Sequence, residues 1–307
     1  MQTHFSFRQV AELWQEKRKR MVKHSTFLSY VMIVKKYLLP AFADLTEITE
    51  EEVQEFMLGL IKDGLSRHYV HDIITTLKNV AKFGAKHKIF NAPDWELEYP
   101  RDTRVRPLPV LSIADHRKLL KELSAAPTIH NIGIMLPLCT GMRIGEVCAL
   151  RWDKVDFRNR TITVSSTVNR VYDIEARRTE TYISTPKTRT SNREIPISPL
   201  LMTALKTVKQ RQKVDTYVVG DGSRPKDPRV YRDSLYRLLR RLGIPKIVFH
   251  GLRHTFATRC IESQCDYKTL SIILGHSNIT TTLSLYVHPG IDQKKRCIQR
   301  LDKLVGL

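Results

Sequence analysis

Four prolines divide this chain of 307 residues into two parts. They stand at positions 93, 100, 107 and 109 of the segment NAPDWELEYPRDTRVRPLPV, with several charged residues between them. Because proline has no backbone N–H to donate and its ring fixes φ, this segment cannot continue a helix. We therefore predict a first domain at residues 1–105, an extended linker that ends at about residue 110, and a second domain at residues 111–307.

The first hundred residues show the spacing of short amphipathic helices. One such pattern lies in FSFRQVAELW, and three more follow it, in STFLSYVMIVKKYLLP, TEEEVQEFMLGLIKDG and SRHYVHDIITTLKNVAKFGAKHK. The STFLSY helix is expected to stop at Pro40, and the TEEEV helix opens with a capping box. These patterns predict a small helical bundle. The first helix, in FSFRQVAELW, carries one apolar stripe at the i, i+3, i+4 and i+7 positions: Phe7, Val10, Ala11 and Trp14.

The second part mixes helical and strand patterns. A new helix is expected at SIADHRKLL, where Ser112 is placed to cap the first turn. Alternating, β-branched runs follow in RTITVSSTVNRVY and TYISTPKTRTSNREIPIS, and beyond Pro199 the chain returns to helices. The predicted fold class is therefore α+β and mainly α: a helical bundle joined to a mixed domain with a small antiparallel sheet.

The chain is strongly basic, with 51 Lys and Arg against 31 Asp and Glu, a net charge of +20. Residues 1–107 hold 17 basic and 14 acidic side chains, whereas residues 108–307 hold 34 and 17. This balance favours a polyanionic partner such as nucleic acid, bound mainly by the second part. The alternative is a generally basic protein without such a partner.

Composition argues against several classes of protein. The chain has no apolar run of the ~20 residues that a membrane helix needs, and its N-terminus lacks the segments of a signal peptide. Its five cysteines form no paired CxxC set. We therefore expect reduced thiols in the cytosol, no metal site and no membrane partner.

Two segments place an arginine beside another polar side chain. In TGMRIGEVCALRWDKVDF, Arg143 starts a helix and Glu146 follows three residues later. The planar fork of Arg143 matches two phosphate oxygens, although a surface ion pair with Glu146 is the alternative. In FHGLRHTFATRCI, His250 and Arg253 share a helix face away from the apolar stripe, so that they can converge on one ligand. The alternative there is a capping histidine with a solvated arginine.

Two further segments contain candidate proton donors and nucleophiles. Lys187, in STPKTRTSNREIPI, is expected at a hairpin tip, where it either reaches a ligand or is simply solvated. In LGHSNITTTLSLYVHP, His276 has a charge that is tunable near neutral pH. Tyr286 follows ten residues later. It is either an oxygen nucleophile or an aromatic that packs into the core.

Together these segments resemble the tyrosine recombinase (phage integrase) family. The resemblance covers nearly the whole chain and rests on TGMRIGEVCALRW, TPKT, the His-x-x-Arg-His box at His250–His254, LGH and the final tyrosine, in this order and spacing. The ten-residue step between His276 and Tyr286 is at the longer end of the family's range. By this resemblance the catalytic residues are Arg143, Lys187, His250, Arg253, His276 and the nucleophile Tyr286, with Glu146 and His254 as structural support.

The resemblance implies a DNA strand transferase that works through a 3′-phosphotyrosyl intermediate, without metal, cofactor or ATP. Its expected partners are double-stranded DNA at attachment or core sites and copies of itself, from dimer to tetramer. The product of a bacterium, phage or other mobile element, it is expected in the cytoplasm near the nucleoid. The alternatives are a DNA-binding regulator of the same fold with no strand-exchange role, and a type IB topoisomerase.

The resemblance also assigns roles outside the pocket. The N-terminal bundle is similar to the family's core-binding domain, and a separate arm-binding domain is not expected because the helices begin almost at Met1. In IDQKKRCIQRLDKLVGL, an amphipathic helix is predicted to dock on a neighbouring protomer, with intramolecular packing as the alternative. Contacts to DNA phosphates are expected from Lys17, Arg18, Lys19, Arg20, Lys23 and Arg189, although the run from Lys17 to Lys23 reads equally well as a solvated turn.

Overall fold

The structure, a computed structural model, describes residues 5–100, 109–185, 192–211, 216–220 and 224–286, together with Lys295, Ile298, Gln299 and Leu301. These residues form two compact units. The first contains the residues up to 100 together with 171–180, and the second contains the rest. Each unit has a hydrophobic core of its own.

The first unit is a helical bundle, as predicted. Its apolar stripe is confirmed, since Phe7, Val10 and Ala11 are fully buried and Trp14 is 1% exposed. The capping box of the TEEEV helix is confirmed as well, because Thr49 and Glu52 bond to each other's backbone N–H. The helices in this part of the chain are α1 (Phe7–Lys19), α2 (His24–Ile33), α3 (Leu39–Phe42), α4 (Glu50–Lys62) and α5 (Arg67–Lys86).

The predicted stop at Pro40 is wrong. The chain passes from α2 through a π-helical segment, Val34–Leu38, into α3, which holds Pro40 in its first turn. In the wider π turn, the N–H of Leu39 donates to the carbonyl of Val34, five residues back. Pro40 is accommodated because the π turn changes the hydrogen-bond register immediately before it, and the missing N–H of proline falls at this change.

Residues 91–100 form neither helix nor strand and pack on the first unit. Trp95 is buried, and its indole N–H donates to the carbonyl of Ile48 at 3.3 Å. The backbone N–H of Glu98 donates to Oε1 of Gln54 at 3.0 Å. Residues 101–108 lie outside the part of the chain that the structure describes.

The second unit contains the remaining helices. Ser112 caps the first of them, as predicted, by accepting the backbone N–H of Asp115 at 3.0 Å. These helices are α6 (Ile113–Ala125), α7 (Ile129–Thr140), α8 (Ile144–Ala149), α9 (Pro199–Arg211), α10 (Pro228–Arg241), α11 (Phe249–Glu262), α12 (Tyr267–Leu274) and α13 (Ile279–Tyr286).

The strands form two small sheets. One has the order β1-β2-β5, is antiparallel, and sets Ile162 opposite both Val155 and Ile195. The other pairs β3 with β4. With helices predominating over short strands, the α+β, mainly α class is confirmed. The strands are β1 (Val155–Asp156), β2 (Thr161–Val164), β3 (Thr167–Asp173), β4 (Arg178–Ser184) and β5 (Arg193–Pro196).

The predicted hairpin between TYIST and REIPI is wrong. β4 pairs with β3, whereas β5 pairs with β2, so the chain between β4 and β5 crosses from one sheet to the other. The turn that joins paired strands lies earlier, between Asp173 and Arg178. Lys187, expected at the tip of that hairpin, lies outside the described residues.

α7 lies in the core of the second unit and carries the chain to the first residue of the candidate site. It is buried from Ile132 to Leu138, and it packs closely against α10. A Cβ at Gly133 would lie 2.1 Å from the Tyr231 ring, so only glycine permits this approach. The Tyr231 hydroxyl in turn donates to the carbonyl of Val219 at 3.0 Å, which satisfies the buried polar end of the ring.

Candidate active site

Two left-handed glycines end the helices that precede the site. α7 ends at Gly141 (φ 67°), and Arg143 is the N-cap residue of α8 that follows it. α12 ends at Gly275 (φ 67°), and His276 follows directly. Glycine adopts this conformation without the steric cost that other residues meet, so both turns are abrupt. Each turn places a candidate site residue immediately after a helix C-terminus.

Three guanidinium groups donate to consecutive carbonyls at the end of α12. Nε of Arg193 donates to Ile273 O at 2.5 Å, and Nη2 of Arg253 donates to Leu274 O at 2.8 Å. Nη2 of Arg143 lies 3.5 Å from Gly275 O. The last carbonyls of a helix have no intrahelical partner and carry the negative end of the helix dipole. The end of α12 therefore gathers three arginines that are distant in sequence.

Arg253 reaches a second helix terminus. Its Nη1 donates to the carbonyl of Gly141, the C-cap residue of α7, at 2.7 Å. The residue is only 3% exposed. Because a buried guanidinium needs partners for its N–H groups, these two helix ends hold Arg253 in one orientation.

The Glu146 carboxylate lies between two arginines. Its Oε1 accepts from Nη1 of Arg143 at 2.8 Å and from Nη1 of Arg193 at 3.2 Å. Its Oε2 accepts from Nη2 of Arg193 and from the backbone N–H of Arg143, both at 2.9 Å. Burial by itself would raise the pKa of Glu146, but the hydrogen bonds and charge of Arg193, with the charge of Arg143, lower it below its ordinary value. Glu146 is thus ionised and is not part of an isolated surface pair.

His276 accepts a hydrogen bond from Arg253. Nη2 of Arg253 lies 2.8 Å from Nε2 of His276, and Nδ1 of His276 lies 2.8 Å from Oγ1 of Thr282. Since a guanidinium has only donors, Nε2 is the accepting nitrogen and Nδ1 carries the proton. Burial, followed by the charges of Arg253 and Arg143, lowers the pKa of His276 from 6.5 to about 4. The ring is neutral at neutral pH.

His250 and His254 meet edge to face on α11, with ring centroids 4.7 Å apart. Desolvation by surrounding protein atoms lowers the pKa of both rings, and the charge of Arg253 lowers both further. His250 nevertheless keeps an exposed surface, whereas His254 is half-buried. His250 is therefore a neutral imidazole that is accessible from outside.

A concave surface beside His250 has a basic rim. α10 contributes Arg232 and Tyr236 to its lining, and the start of β3 contributes Asn169 and Arg170. Nε of Arg170 lies 3.2 Å from Oδ2 of Asp227, which fixes β3 against the N-cap of α10. α10 is not among the predicted DNA contacts, although five arginines stand between the apolar residues of PRVYRDSLYRLLRR.

The structure brings most of the predicted site residues together. Arg143 pairs with Glu146 and Arg253 with His276, both arginines reach carbonyls at the end of α12, and their charges act on His250. Tyr286 is the last residue of α13, but its side chain, like Lys187 and Arg189, is not among the described parts of the chain.

The predicted phosphate-binding run of the first unit lies at the end of α1. Nζ of Lys17 lies 5.4 Å from the centre of the Phe83 ring, and the Arg18 guanidinium lies 5.6 Å from the centre of the Trp14 ring. Arg20 pairs with Glu16 at 3.7 Å on an exposed surface. Lys19 and Lys23 are exposed. These contacts order part of the run but leave its charge facing solvent.

Arg193 is the site residue that the sequence analysis missed. A signal for it exists in the strand NREIPI, where Arg193, Ile195 and Ile197 alternate with outward-facing residues. An arginine at an inward position of a half-buried strand must have a buried partner, because an unpaired buried charge is costly. That signal predicts a partner, although it does not identify Glu146.

Within the described residues, no group of histidine, cysteine, aspartate and glutamate side chains is arranged to hold a metal ion. None of the helices in that same part of the chain combines the length and apolar character that crossing a membrane requires.

Sequence profiles identify both parts of the chain. The profile of the phage integrase family matches residues 110–291, and the profile described as phage integrase, N-terminal SAM-like domain, matches residues 6–61. The first match alone covers more than half of the chain and includes Arg143, His250, Arg253, His276 and Tyr286.

Known proteins similar to this chain include recombinases, transposases and integrases. A tyrosine recombinase XerC-like protein of Caldanaerobacter subterraneus subsp. tengcongensis is 29% identical over 60% of this chain, which spans about half (52%) of that relative's length. The transposase of transposon Tn916 from Enterococcus faecalis is 27% identical over 89% of this chain and 71% of its own. Among solved structures, the Tn1549 transposon integrase has a TM-score of 0.80 and 25% identity, over 97% of this chain and 99% of the other. The chain belongs to the phage integrase family, the tyrosine recombinases.

Proposed function

We propose that this protein is a site-specific tyrosine recombinase, which cleaves and rejoins DNA strands in integration, excision or a related rearrangement. The observation that carries the proposal is the convergence of Arg143, Arg253 and His276 at the end of α12. Arg143 and Gly275 stand 132 residues apart in the sequence, and Arg253 and Gly141 stand 112 apart. α13, the next helix after this convergence, ends at Tyr286.

In the proposed reaction the phenol oxygen of Tyr286 attacks the scissile phosphorus. A bond forms between this oxygen and phosphorus, and the bond from phosphorus to the 5′ oxygen breaks, which leaves a 3′-phosphotyrosyl link. A free phenol has a pKa near ~10, so the attack needs positive charge nearby. Arg143 and Arg253 supply that charge at the non-bridging oxygens, where it is worth most in the transition state.

The protons of this reaction are assigned to three residues. Lys187 gives a proton to the departing 5′ oxygen as a general acid. The neutral His250 ring takes up the proton of the phenol. His276 keeps Arg253 oriented through its accepting Nε2 and exchanges protons near the phosphate. A 5′ hydroxyl of another strand then attacks the phosphotyrosyl link, and since the bond energy is retained, neither metal nor ATP is required.

Double-stranded DNA is the proposed substrate. The Tn1549 integrase, similar to this chain over 97% of its length, was solved in complex with transposon right-end DNA. The positive charge concentrated in the second part of the chain supports the same partner. We assign residues 1–105 to a core-binding domain, in which Lys17 to Lys23 contact phosphates, and residues 111–307 to the catalytic domain. We assign a further phosphate contact to Arg189, and another to the part of α10 that lines the concave surface beside His250.

A test begins with the DNA site, selected by binding of the protein to a pool of randomised duplexes. A nicked duplex carrying that site traps the covalent complex, because the short strand beyond the cleavage point diffuses away. We expect wild type to form a protein–DNA adduct on a denaturing gel and Tyr286→Phe to form none. Tyr267→Phe, which changes a half-buried tyrosine at the start of α12, is the matched control and should cleave normally.

The same experiment distinguishes a recombinase from the alternative hypothesis of a DNA-binding regulator. A DNA-binding regulator of this fold would bind the selected site with equal affinity in wild type and Tyr286→Phe, and neither would form an adduct. An adduct formed equally well by Tyr286→Phe would instead show that another residue is the nucleophile. Adduct formation in excess chelator and without ATP tests the independence from metal and nucleotide.

Self-association on DNA is part of the proposal, with the C-terminal segment docked on a neighbouring protomer. Ile298 and Leu301 are 60% and 53% exposed, as expected for apolar side chains that meet a partner. A chain truncated after Pro289 should bind one site as a monomer and lose cooperative assembly of paired sites in a gel-shift assay. Unchanged assembly would assign the segment to packing within its own chain.

A further inference from the structure

Arg193 is a buried arginine that contacts the Glu146 carboxylate and the carbonyl of Ile273. Its side chain is 3% exposed, and the Glu146 side chain that it contacts is 4% exposed. A Cβ at Gly275 would lie 3.0 Å from Cδ and Nη1 of Arg193, so this wall of the site is closely packed. Its guanidinium donates to both oxygens of the Glu146 carboxylate and to the carbonyl of Ile273, and these partners can transmit its effect to Arg143 and to His276.

The charges around Glu146 define that contribution. One carboxylate receives two guanidinium groups, one from Arg143 and one from Arg193. The Arg193 contacts involve both carboxylate oxygens, whereas the Arg143 side chain uses one nitrogen and reaches Oε1. The Arg143 side chain is 36% exposed, so it is the accessible member of the trio. Because Arg193 already balances the carboxylate, the charge of Arg143 is left uncompensated.

Without Arg193 the balance would change. Glu146 and Arg143 would form a one-to-one pair, and the guanidinium would turn towards both carboxylate oxygens, which is the preferred bidentate geometry. A paired Arg143 is a weaker partner for an anionic phosphate. The Nε bond from Arg193 to Ile273 O would also be lost, three residues before His276.

We infer that Arg193 is a positioning residue for strand cleavage: it neutralises Glu146 so that Arg143 keeps its charge for the scissile phosphate, and it anchors the end of α12 beside His276. This inference rests on the proposed function. It predicts a defect that depends on the charge of the phosphate, because Arg193 acts by leaving a cation free to meet that charge.

The test compares two nicked duplexes, one with an ordinary phosphodiester at the cleavage point and one with an uncharged methylphosphonate. Arg193→Met should cleave the phosphodiester about 100-fold more slowly than wild type, the lower end of the loss seen when one stabilising donor is removed. The loss should be much smaller on the methylphosphonate, which has no charge to neutralise. DNA affinity should be unchanged.

A second variant tests the role of Glu146. In Arg193→Met the Glu146 carboxylate pairs with Arg143 alone, so the double variant Glu146→Gln/Arg193→Met, which removes that negative charge, should cleave the phosphodiester faster than Arg193→Met alone. Arg193→Lys retains the charge but lacks the planar fork, and it should show a smaller loss with the same preference for the methylphosphonate. If Arg193→Met does not fold, the ratio of rates for Arg193→Lys on the two substrates decides the question.

Arg259→Met is the matched control. Arg259 also contacts a glutamate, Glu262, and a backbone carbonyl, that of Leu111, in the same unit. Any loss in this variant should be equal on both substrates. The inference is overturned if Arg193→Met and Arg193→Lys lose equally on both substrates, or if Glu146→Gln gives no recovery. If wild type forms no adduct on either duplex, the proposed function fails instead.

Discussion

The bundle of the first unit and the arginine cluster of the second are both buried, but opposite interactions hold them together. In the bundle, the buried face of α5 consists almost wholly of apolar side chains, among them Ile73, Leu77 and Val80. In the cluster, Glu146, Arg193 and Arg253 are buried to a similar degree. Burial in the bundle stabilises the fold by ~25 cal/mol for each Å² of apolar surface removed from water. Burial in the cluster carries a desolvation cost that its ion pairs roughly offset.

This difference indicates that the bundle contributes mainly to the stability of the fold and the arginine cluster mainly to the proposed reaction. Replacing a buried ion pair with apolar residues of similar volume is often neutral or stabilising. A contribution to the stability of the fold therefore does not explain why these charges are buried. They instead converge on helix ends beside an accessible arginine and two neutral histidines. Substitutions in the two regions should therefore alter different quantities.

The largest effect is expected for Arg253→Met. It removes a donor that the proposed reaction needs at the phosphate, and such a loss costs up to ~1,000-fold in rate. The same change leaves the carbonyls of Gly141 and Leu274 without a donor, at a cost of ~1–3 kcal/mol in the free energy of unfolding. Adduct formation on the nicked duplex measures the first quantity and urea unfolding the second. Arg259→Met is the control. If Arg253→Met cleaves at the rate of the wild-type protein, Arg253 does not belong to the proposed site.

A smaller effect, on stability alone, is expected for Ile73→Ala. The side chain is fully buried in the first unit, so the cavity should lower the free energy of unfolding by ~2–5 kcal/mol. In a Trp152→Phe background the remaining tryptophans, Trp14 and Trp95, both belong to this unit, and their fluorescence reports its unfolding in urea. Ile73→Val is the matched control, with an expected loss of ~0.5–1.5 kcal/mol.

The same Ile73→Ala variant should cleave a saturating amount of nicked duplex at the wild-type rate, provided that the temperature is well below unfolding. A slower reaction under those conditions would show that the packing of the bundle affects the chemistry directly. The contrast between the two regions would then be wrong.

The smallest effect is a dependence of stability on pH. The folded pKa of His276 is about 4, below its ordinary value of 6.5. Between these values the unfolded chain binds a proton that the folded chain does not, so the free energy of unfolding should fall as the pH falls. Urea midpoints at several pH values in this range measure the slope. His276→Asn, which cannot be protonated there, should show a weaker dependence, and an unchanged slope would contradict the assignment.

Local patterns predicted the bundle well. The stripe from Phe7 to Trp14 and the box at Thr49 follow from spacing within one helix, because both involve contacts between near neighbours in the chain. The stop at Pro40 was wrong because a π turn absorbed the proline. That turn depends on how the surrounding helices pack, which a local rule does not contain.

The sheets were predicted less well. Alternation identified the strands, but the partner of β5 is β2, which lies across an intervening hairpin. Strand pairing is non-local, so the pattern of one strand does not identify its neighbour. The same reason explains the omission of Arg193, whose inward position was visible in the sequence while Glu146 stood 47 residues earlier.

The sequence alone predicted the fold class, the family resemblance and the order of the candidate site residues along the chain. These follow from residue types and from spacing along one chain. Only the tertiary structure decided that the end of α12 gathers three arginines, that Glu146 is shared between Arg143 and Arg193, and that Nε2 of His276 accepts from Arg253. The reason is physical: the charge that a buried group retains and the nitrogen that carries its proton depend on neighbours brought close by folding.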